Sequence, residues 1–134
     1  MSLKGTMSKL IYCATPARLN AKKKEIMDFV TTQGHGPFHP FQAFEYERFE
    51  GGAPGRERTL EFCERAVGMC DEFWLFGISN GTLRELVHAQ KIRKPVQLFL
   101  DEFDSEWKQN YAMLKEKYKN PLSVYNLWKA PFWP

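Results

Sequence analysis

The chain lacks any apolar run long enough to cross a bilayer, and its amino terminus lacks the apolar core of a secretory signal. It is also poor in cysteine. The three cysteines are an odd number without framework spacing, which indicates reduced thiols rather than a disulfide scaffold. We therefore expect a cytoplasmic protein with no membrane partner.

An excess of charge of one sign is also missing. The formal net charge is +3 and the basic residues are scattered, so the composition does not indicate a nucleic-acid polymer as partner. The densest basic run, Lys22-Lys23-Lys24, is typical of a solvated helix face. No cysteines and histidines have metal-ligand spacing, and neither a G-x-G-x-x-G motif nor a Walker lysine is present. We expect no metal and no cofactor.

The sequence does contain enough apolar material for one domain. Of its 134 residues, 43% are hydrophobic and 15% aromatic, which argues against disorder. Residues 1–6 are interpreted as a leader ahead of a natural start at Met7. Residues 7–134 are predicted to form a single α/β domain.

The stretch 70–100 is predicted to be a strand–helix–strand unit. Phe73 to Phe76 is an aromatic-rich apolar run, typical of a buried strand. Gly77 to Gly81 has turn composition, and Thr82 suits the N-cap or first turn of a following helix. Val96 to Leu100 is a second buried run. A unit of about 30 residues fits a right-handed βαβ crossover.

The rest of the chain continues the alternation of strands and helices. Six elements are predicted: a strand Leu10 to Ala14, a helix Ala17 to Thr32, a second strand or extended segment Phe38 to Phe41, a loop Gln42 to Gly55, a helix Arg56 to Met69, and an amphipathic helix Asp104 to Tyr118. Leu122 to Leu127 fits either a fifth strand or a packed coil. This order predicts an α/β three-layer sandwich with a mostly parallel, flavodoxin-like sheet of four or five strands.

A ligand site is expected at one edge of this sheet. In parallel sheets, ligands bind outside the carboxyl ends of the strands, where the strand order reverses. If the first and third strands are neighbours there, Thr15 faces Ser79 across a crevice. The long 42–55 loop then lies over that crevice, as binding loops often do.

One short motif suggests a different chemistry. Gly77-Ile78-Ser79-Asn80-Gly81 matches G-x-S-x-G, the nucleophile elbow of α/β-hydrolases. A serine nucleophile needs a histidine base, and the only histidine later in the chain is His88, inside the next helix. We expect its ring to point away from Ser79. A serine hydrolase is therefore the weakest of three functional hypotheses.

A second motif in the same stretch carries a family resemblance. Ser79-x-Gly81-x-x-x-Glu85 resembles the signature of the nucleoside 2-deoxyribosyltransferase superfamily, and within it of the 2'-deoxynucleoside 5'-monophosphate N-hydrolases. Four further segments are similar to the family pattern: Ile11 to Thr15, Phe38-His39-Pro40, Cys70-Asp71, and Ala89 with Lys94-Pro95-Val96. The resemblance covers residues 9–100.

This resemblance implies cleavage or transfer at the N-glycosidic bond of a 2'-deoxynucleotide or deoxynucleoside. Glu85 takes the position of the family's nucleophile, which acts like the second carboxylate of a retaining glycosidase. The residues expected to bind substrate are Thr15, Ser79, Asn80, Gly81, Thr82 and His39. The amides of Gly81 to Leu83, at the positive end of a helix dipole, are expected to hold a phosphate. A hydroxyl at Ser79, where the nucleoside transferases carry an acid, favours a nucleotide.

One departure from the family keeps a second hypothesis open. The family has an aspartate in the helix before the third strand, where it assists the leaving base. Here that helix offers Glu57, Glu61 and Glu64, and Glu61 is the expected stand-in. The alternative is a non-catalytic nucleotide-binding or sensing module on the same fold. Because relatives build sites at dimer interfaces, the nucleotide-binding domain 7–134 is expected to form a homodimer or higher homo-oligomer.

Overall fold

The computed structural model of the chain describes residues 8–43 and 55–125, apart from the side chain of Arg56. Within them, four strands form one all-parallel sheet in the order β2-β1-β3-β4. The strands are β1 Leu10–Ala14, β2 Gly36–Phe38, β3 Glu72–Leu75 and β4 Val96–Leu98. The predicted strand order, with the first and third strands adjacent, is confirmed.

Helices cover both faces of the sheet. They are α1 Lys23–Thr32, α2 Pro40–Ala43, α3 Gly55–Met69, α4 Asn80–Lys91, α5 Leu100–Phe103 and α6 Trp107–Leu114, with 3₁₀-helices at Ala17–Lys22 and Pro121–Val124. One core cluster joins α3, α4 and α6 to the sheet, and the other joins α1 to the opposite face. The fold is therefore the predicted flavodoxin-like three-layer sandwich.

The two central strands are buried on both faces, which explains their continuous apolar sequences. Successive side chains alternate between the two clusters: Tyr12 and Phe73 face α3 and α4, whereas Cys13 and Trp74 face α1. In register, Tyr12 lies between Phe38 and Phe73, and its ring stacks on theirs at centroid distances of 5.9 and 5.6 Å. This stack fixes the Tyr12 ring.

The second strand differs from its prediction at Phe38 to Phe41. It runs over Gly36–Phe38, and Pro40–Ala43 is a short helix. Proline has no amide for a strand ladder, but its fixed φ suits a first helical turn. The amides of Gln42 and Ala43 accordingly donate to the His39 carbonyl. In the predicted loop, Gln42 and Ala43 end α2 and Gly55 begins α3, whereas positions 44–54 lie outside the described residues.

The other boundaries differ in smaller ways. The predicted helix over 17–32 is divided into a 3₁₀-helix and α1, and Lys22, where the two meet, has non-helical angles (φ −95°, ψ 7°). The predicted helix over 104–118 spans only Trp107–Leu114. Asp104 has extended backbone angles, and its carboxylate accepts the amides of Ile78 and Glu106. Positions 121–124 form a 3₁₀-helix, so the fifth-strand alternative is wrong there. The leader 1–6 and the tail 126–134 lie outside the described residues.

None of the helices in the described ranges combines the length and apolar character that a membrane span needs. No three histidine, cysteine, aspartate or glutamate side chains in those ranges gather as a metal site. None of the three cysteines is in a disulfide and all three are buried, with Cys63 and Cys70 in the core.

Candidate functional site

The carboxyl ends of the central strands and the start of α4 surround a cavity of about 100 Å³. Its walls are Thr15, Ala17, Pro40, Phe41, Leu60, Cys63, Ser79, Gly81, Thr82 and Glu85. The cavity lies at the sheet edge where a parallel α/β fold binds ligands. Thr15 and Ser79 share it, as the strand order predicts.

Glu85 is the carboxylate of this cavity. It is 5% exposed, and Thr82, three residues before it, and Ala89, four residues after it, are buried as well. Positions three and four apart share one face of a helix, so this face of α4 turns inward at Glu85. Its Oε2 accepts a hydrogen bond of 3.0 Å from the Tyr12 hydroxyl. A buried carboxylate is costly without such a donor, so this bond is part of what keeps Glu85 at the cavity.

Tyr12 was not identified from the sequence as a site residue. Burial raises the pKa of its hydroxyl well above the ordinary value, and the charge of Glu85 and the Cys63 thiol raise it further. The hydroxyl therefore stays protonated and acts as a donor. The sequence did contain one signal that could have identified Tyr12: it is a tyrosine within an apolar strand. A buried tyrosine hydroxyl generally has a hydrogen-bond partner.

A reciprocal cap fixes the start of α4. Ser79 is the N-cap, and its Oγ accepts from the Thr82 amide at 3.1 Å. The Ser79 amide donates in return to Thr82 Oγ1 at 2.8 Å, and that hydroxyl donates to the Gly77 carbonyl at 2.8 Å. Thr82 thus lies in the first turn rather than at the N-cap, and its hydroxyl is already used within the turn.

The cap changes which amides an anion could use. The first four amides of a helix have no acceptor in the helix itself, and here the cap accounts for those of Ser79 and Thr82. The Leu83 amide donates to the Ser79 carbonyl. Of the amides expected to bind a phosphate, those of Gly81 to Leu83, only the Gly81 amide is not used by the cap or the helix. The Asn80 amide, in the same turn, is the second amide that could bind an anion. The expectation for Thr82 and Leu83 is therefore corrected.

The turn before Ser79 touches the end of β1. A Cβ added at Gly77 would lie 2.6 Å from Pro16 Cδ and 2.9 Å from Leu19 Cδ1. Contacts below 3 Å are not tolerated, so only glycine permits this approach. It holds the Ser79 turn against the segment that carries Thr15.

A buried ion pair holds the same turn from the other side. Asp104 is 1% exposed and accepts two 2.8 Å hydrogen bonds from Arg18 and one of 2.9 Å from the Ile78 amide. Arg18 Nη2 also donates to the Ile78 carbonyl at 2.7 Å. Burial acts to raise the pKa of Asp104, but the hydrogen bonds and charge of Arg18 hold it below the ordinary value. Sequence patterns gave no signal of this long-range pair.

Two residues predicted to bind substrate do not line the cavity. The Asn80 side chain accepts hydrogen bonds from Lys117 and Tyr118, on the segment after α6. His39 is buried beside the cavity, where the next two residues are part of the wall. Its Nδ1 accepts the Phe41 amide at 3.2 Å.

The other ring nitrogen of His39 is unusual. Since Nδ1 accepts a hydrogen bond, the proton of the neutral ring lies on Nε2. This Nε2 is buried and has no hydrogen-bond partner among the described residues. Burial, with a smaller effect of the Lys23 charge, lowers the pKa of His39 to about 4. His39 is therefore neutral at physiological pH.

The expected second acid, Glu61, is exposed and does not line the cavity. Leu60 and Cys63 are the α3 residues of the wall, and a position one residue from Leu60 lies about 100° away around the helix. Glu57 and Glu64 instead pair with Arg84, at 3.1 and 2.9 Å. The structure gives no support to Glu61 as the second acid.

The serine-hydrolase hypothesis also lacks its base. Ser79 Oγ is engaged in the helix cap, and among the described residues no histidine lines the cavity. His88 lies near the other end of α4. A Ser79 nucleophile would need a base within hydrogen-bond reach, and the described part of the site does not supply one.

Comparison of the chain with protein-family models, with curated proteins and with solved structures finds no match.

Proposed function

We propose that the protein cleaves or transfers at the N-glycosidic bond of a 2'-deoxynucleotide or 2'-deoxynucleoside, with Glu85 as the nucleophile. The observation that carries the proposal is the position of this carboxylate. Glu85 is buried on the wall of a cavity at the ligand-binding edge of the sheet, and the Tyr12 hydroxyl orients it through a 3.0 Å hydrogen bond.

The chemistry follows from a fixed carboxylate in a small enclosed space. In such a site, negative charge stabilises an oxocarbenium-like sugar and can bond to its anomeric carbon. The bond to the base breaks and its electrons leave with the base. Water then releases the sugar from Glu85 in a hydrolase, and a second base does so in a transferase.

The dimensions of the cavity support a partial enclosure of the substrate. Pockets for whole small molecules usually measure about 300–1,000 Å³. A volume of about 100 Å³ suits only the reacting part, such as the sugar ring. The base and the 5' substituent would extend past the walls formed by the described residues.

The start of α4 supports a nucleotide over a nucleoside. The amides of Asn80 and Gly81 lie at the positive end of the helix dipole, beside the Ser79 hydroxyl. Thr15 lines the same cavity, but its hydroxyl donates to the Cys13 carbonyl at 3.1 Å, so the two amides are the donors that suit a 5'-phosphate. A carboxylate at position 79 would repel that phosphate.

The test is release of free base from a panel of deoxynucleosides and their 5'-monophosphates. Glu85→Gln keeps the shape and the acceptor for Tyr12 but removes the nucleophilic charge. We expect it to lower base release about 1,000-fold or more. Glu102→Gln is the matched control, since Glu102 is an exposed glutamate on α5. Absence of base release across the whole panel would refute the proposal that the protein cleaves N-glycosidic bonds.

A second candidate, a nucleotide-binding or sensing module without turnover, is favoured by one specific observation. Glu85 is the single carboxylate among the described cavity-lining residues. The module predicts that deoxynucleotides raise the melting temperature while no base is released. If nucleotides neither shift the melting temperature nor react, both candidates fail.

We further propose that the protein is cytoplasmic and that it forms a homodimer or higher homo-oligomer. The absence of a disulfide among the three buried cysteines supports a reducing compartment. The oligomer rests on the family resemblance alone. Light scattering on the eluting protein would test it, and a monomer at working concentration would contradict it.

A further inference from the structure

A second titratable group lies on the cavity wall. Cys63 lines the cavity from α3 and is 4% exposed. Among the described lining residues, Cys63 and Glu85 are the only two with an ionisable side chain. One is a thiol and the other a carboxylate, and they come from different helices.

Both groups face the same small space. Cys63 and Glu85 line one cavity of about 100 Å³, and both act to raise the pKa of the Tyr12 hydroxyl. That hydroxyl donates to Glu85 Oε2 at 3.0 Å. In retaining glycosidases the nucleophile and the acid flank the reacting bond, about 5–5.5 Å apart. A thiol and a carboxylate that line so small a cavity suit the same paired role.

We propose that Cys63 is the general acid that protonates the departing base. The inference rests on the proposed function. As a Glu85 oxygen bonds to C1', the C1'–N bond breaks and its electron pair goes to the base nitrogen. The Cys63 Sγ–H proton moves to that base, which leaves a thiolate. In the second step water attacks C1', the Glu85–C1' bond breaks, and the water proton goes to the thiolate.

The other groups nearby are less suited to this role. The Tyr12 hydroxyl already donates to Glu85. Glu61 is exposed and outside the cavity. A thiol can donate its proton to a leaving base, and the thiolate can take a proton back from water during hydrolysis.

Two substrates separate an acid from a packing residue. One is a 2'-deoxynucleoside 5'-monophosphate, whose base needs a proton to leave. The other is 4-nitrophenyl 2-deoxyriboside 5-phosphate, whose leaving group departs as a stable anion. We expect Cys63→Ala to lower base release about 100- to 10,000-fold and 4-nitrophenolate release by less than about threefold. Cys63→Ser should behave alike, since a hydroxyl is a much weaker acid.

Cys70→Ala is the matched control. Cys70 is 1% exposed in the same core cluster but does not line the cavity. We expect it to leave the ratio of the two rates unchanged. Retained release of 4-nitrophenolate by Cys63→Ala also shows that this variant folds.

Four outcomes would overturn the assignment of the acid. If Cys63→Ala slows both substrates equally, the thiol acts in packing or positioning. If it slows neither, another group supplies the proton and the proposed function stands. If the wild type releases 4-nitrophenolate but no base, the site cleaves only an activated bond, and the assignment of the acid fails together with the proposed cleavage of natural substrates. If the wild type releases neither product, the proposed function fails and the assignment fails with it.

Discussion

The Tyr12 hydroxyl lies 3.0 Å from Oε2 of Glu85, although the two residues are 73 positions apart in the sequence. Tyr12 belongs to the central strand β1, where its ring is held between Phe38 and Phe73. Glu85 belongs to α4, which packs on the same face of the sheet. One hydrogen bond thus joins a buried central strand to the candidate nucleophile. Stability and activity should both depend on it.

Tyr12→Phe removes this hydroxyl and keeps the ring stack. We expect the free energy of unfolding to fall by about 1–3 kcal/mol, because a buried carboxylate loses its donor. Base release should fall too, since Glu85 is no longer oriented. Urea unfolding and the base-release assay measure the two effects.

The control is Tyr125→Phe, which removes a hydroxyl that accepts a 3.0 Å hydrogen bond from the neutral Gln90 side chain. Loss of a neutral, half-buried bond should cost about 0.5–1.5 kcal/mol and leave base release unchanged. If Tyr12→Phe costs no more than this and stays fully active, the bond to Glu85 has no special role.

Gly77→Ala should destabilise the turn before α4. The new Cβ would lie 2.6 Å from Pro16 Cδ, a ring atom that cannot rotate away. We expect a loss of about 1–3 kcal/mol in the free energy of unfolding. Gly68→Ala is the opposite case, because no atom lies within 4 Å of its added Cβ on α3. Because alanine is favoured over glycine within a helix, Gly68→Ala should raise the free energy of unfolding by about 0.5–1 kcal/mol. Equal melting temperatures for the two variants would contradict the close approach.

The sequence was sufficient for the elements that have strong local signals. β1 and α3 lie within one residue of their predicted bounds, and α4 begins within the turn predicted at Gly77 to Gly81, because apolar runs, helical periodicity and turn residues are local properties. The strand order followed from the alternation of strands and helices. Thr15, Ser79 and Glu85 share a cavity for the same reason, since each follows a strand end or starts a helix.

Contacts between distant elements could not be predicted. The bond from Tyr12 to Glu85 needs the register of β1 against α4, and the presence of Cys63 in the cavity needs the phase of α3. Asp104 was placed at the start of a helix, whereas it binds Arg18, 86 positions away. Glu61 was selected by residue type, but the direction of its side chain depends on how the helix packs.

Asp104→Asn should loosen the turn that carries Ser79. We expect a loss of about 2–3 kcal/mol at pH 7, because Arg18 loses its charged partner but, at 32% exposure, can still be hydrated. The pKa of Asp104 is lowered by folding, so its contribution is complete above the ordinary value of 3.8. It is lost as pH falls through the lower, folded value. The gap between wild type and variant should therefore shrink in acid.

Urea unfolding at pH 7 and at steps below pH 4 measures this gap. Asp28→Asn is the control, since Asp28 pairs with Lys24 on the exposed face of α1, where its side chain is 62% exposed. Such surface pairs contribute about 0.3–0.5 kcal/mol. A gap for Asp104→Asn that stays constant with pH would show that the carboxylate charge is not what holds the turn.

His39 should make the free energy of unfolding depend on pH in a range above the one in which Asp104 acts. Its pKa is about 4 in the folded protein and 6.5 ordinarily, so between these values the unfolded chain binds a proton that the folded chain does not. Stability should therefore fall as pH drops from about 6.5 to about 4, by up to about 3 kcal/mol. His39→Leu removes this titration and should flatten the curve, while at pH 8 both proteins have a neutral side chain at position 39. Urea unfolding across pH 4–8 measures the two slopes, and equal slopes would mean that the buried ring accepts its second proton without cost.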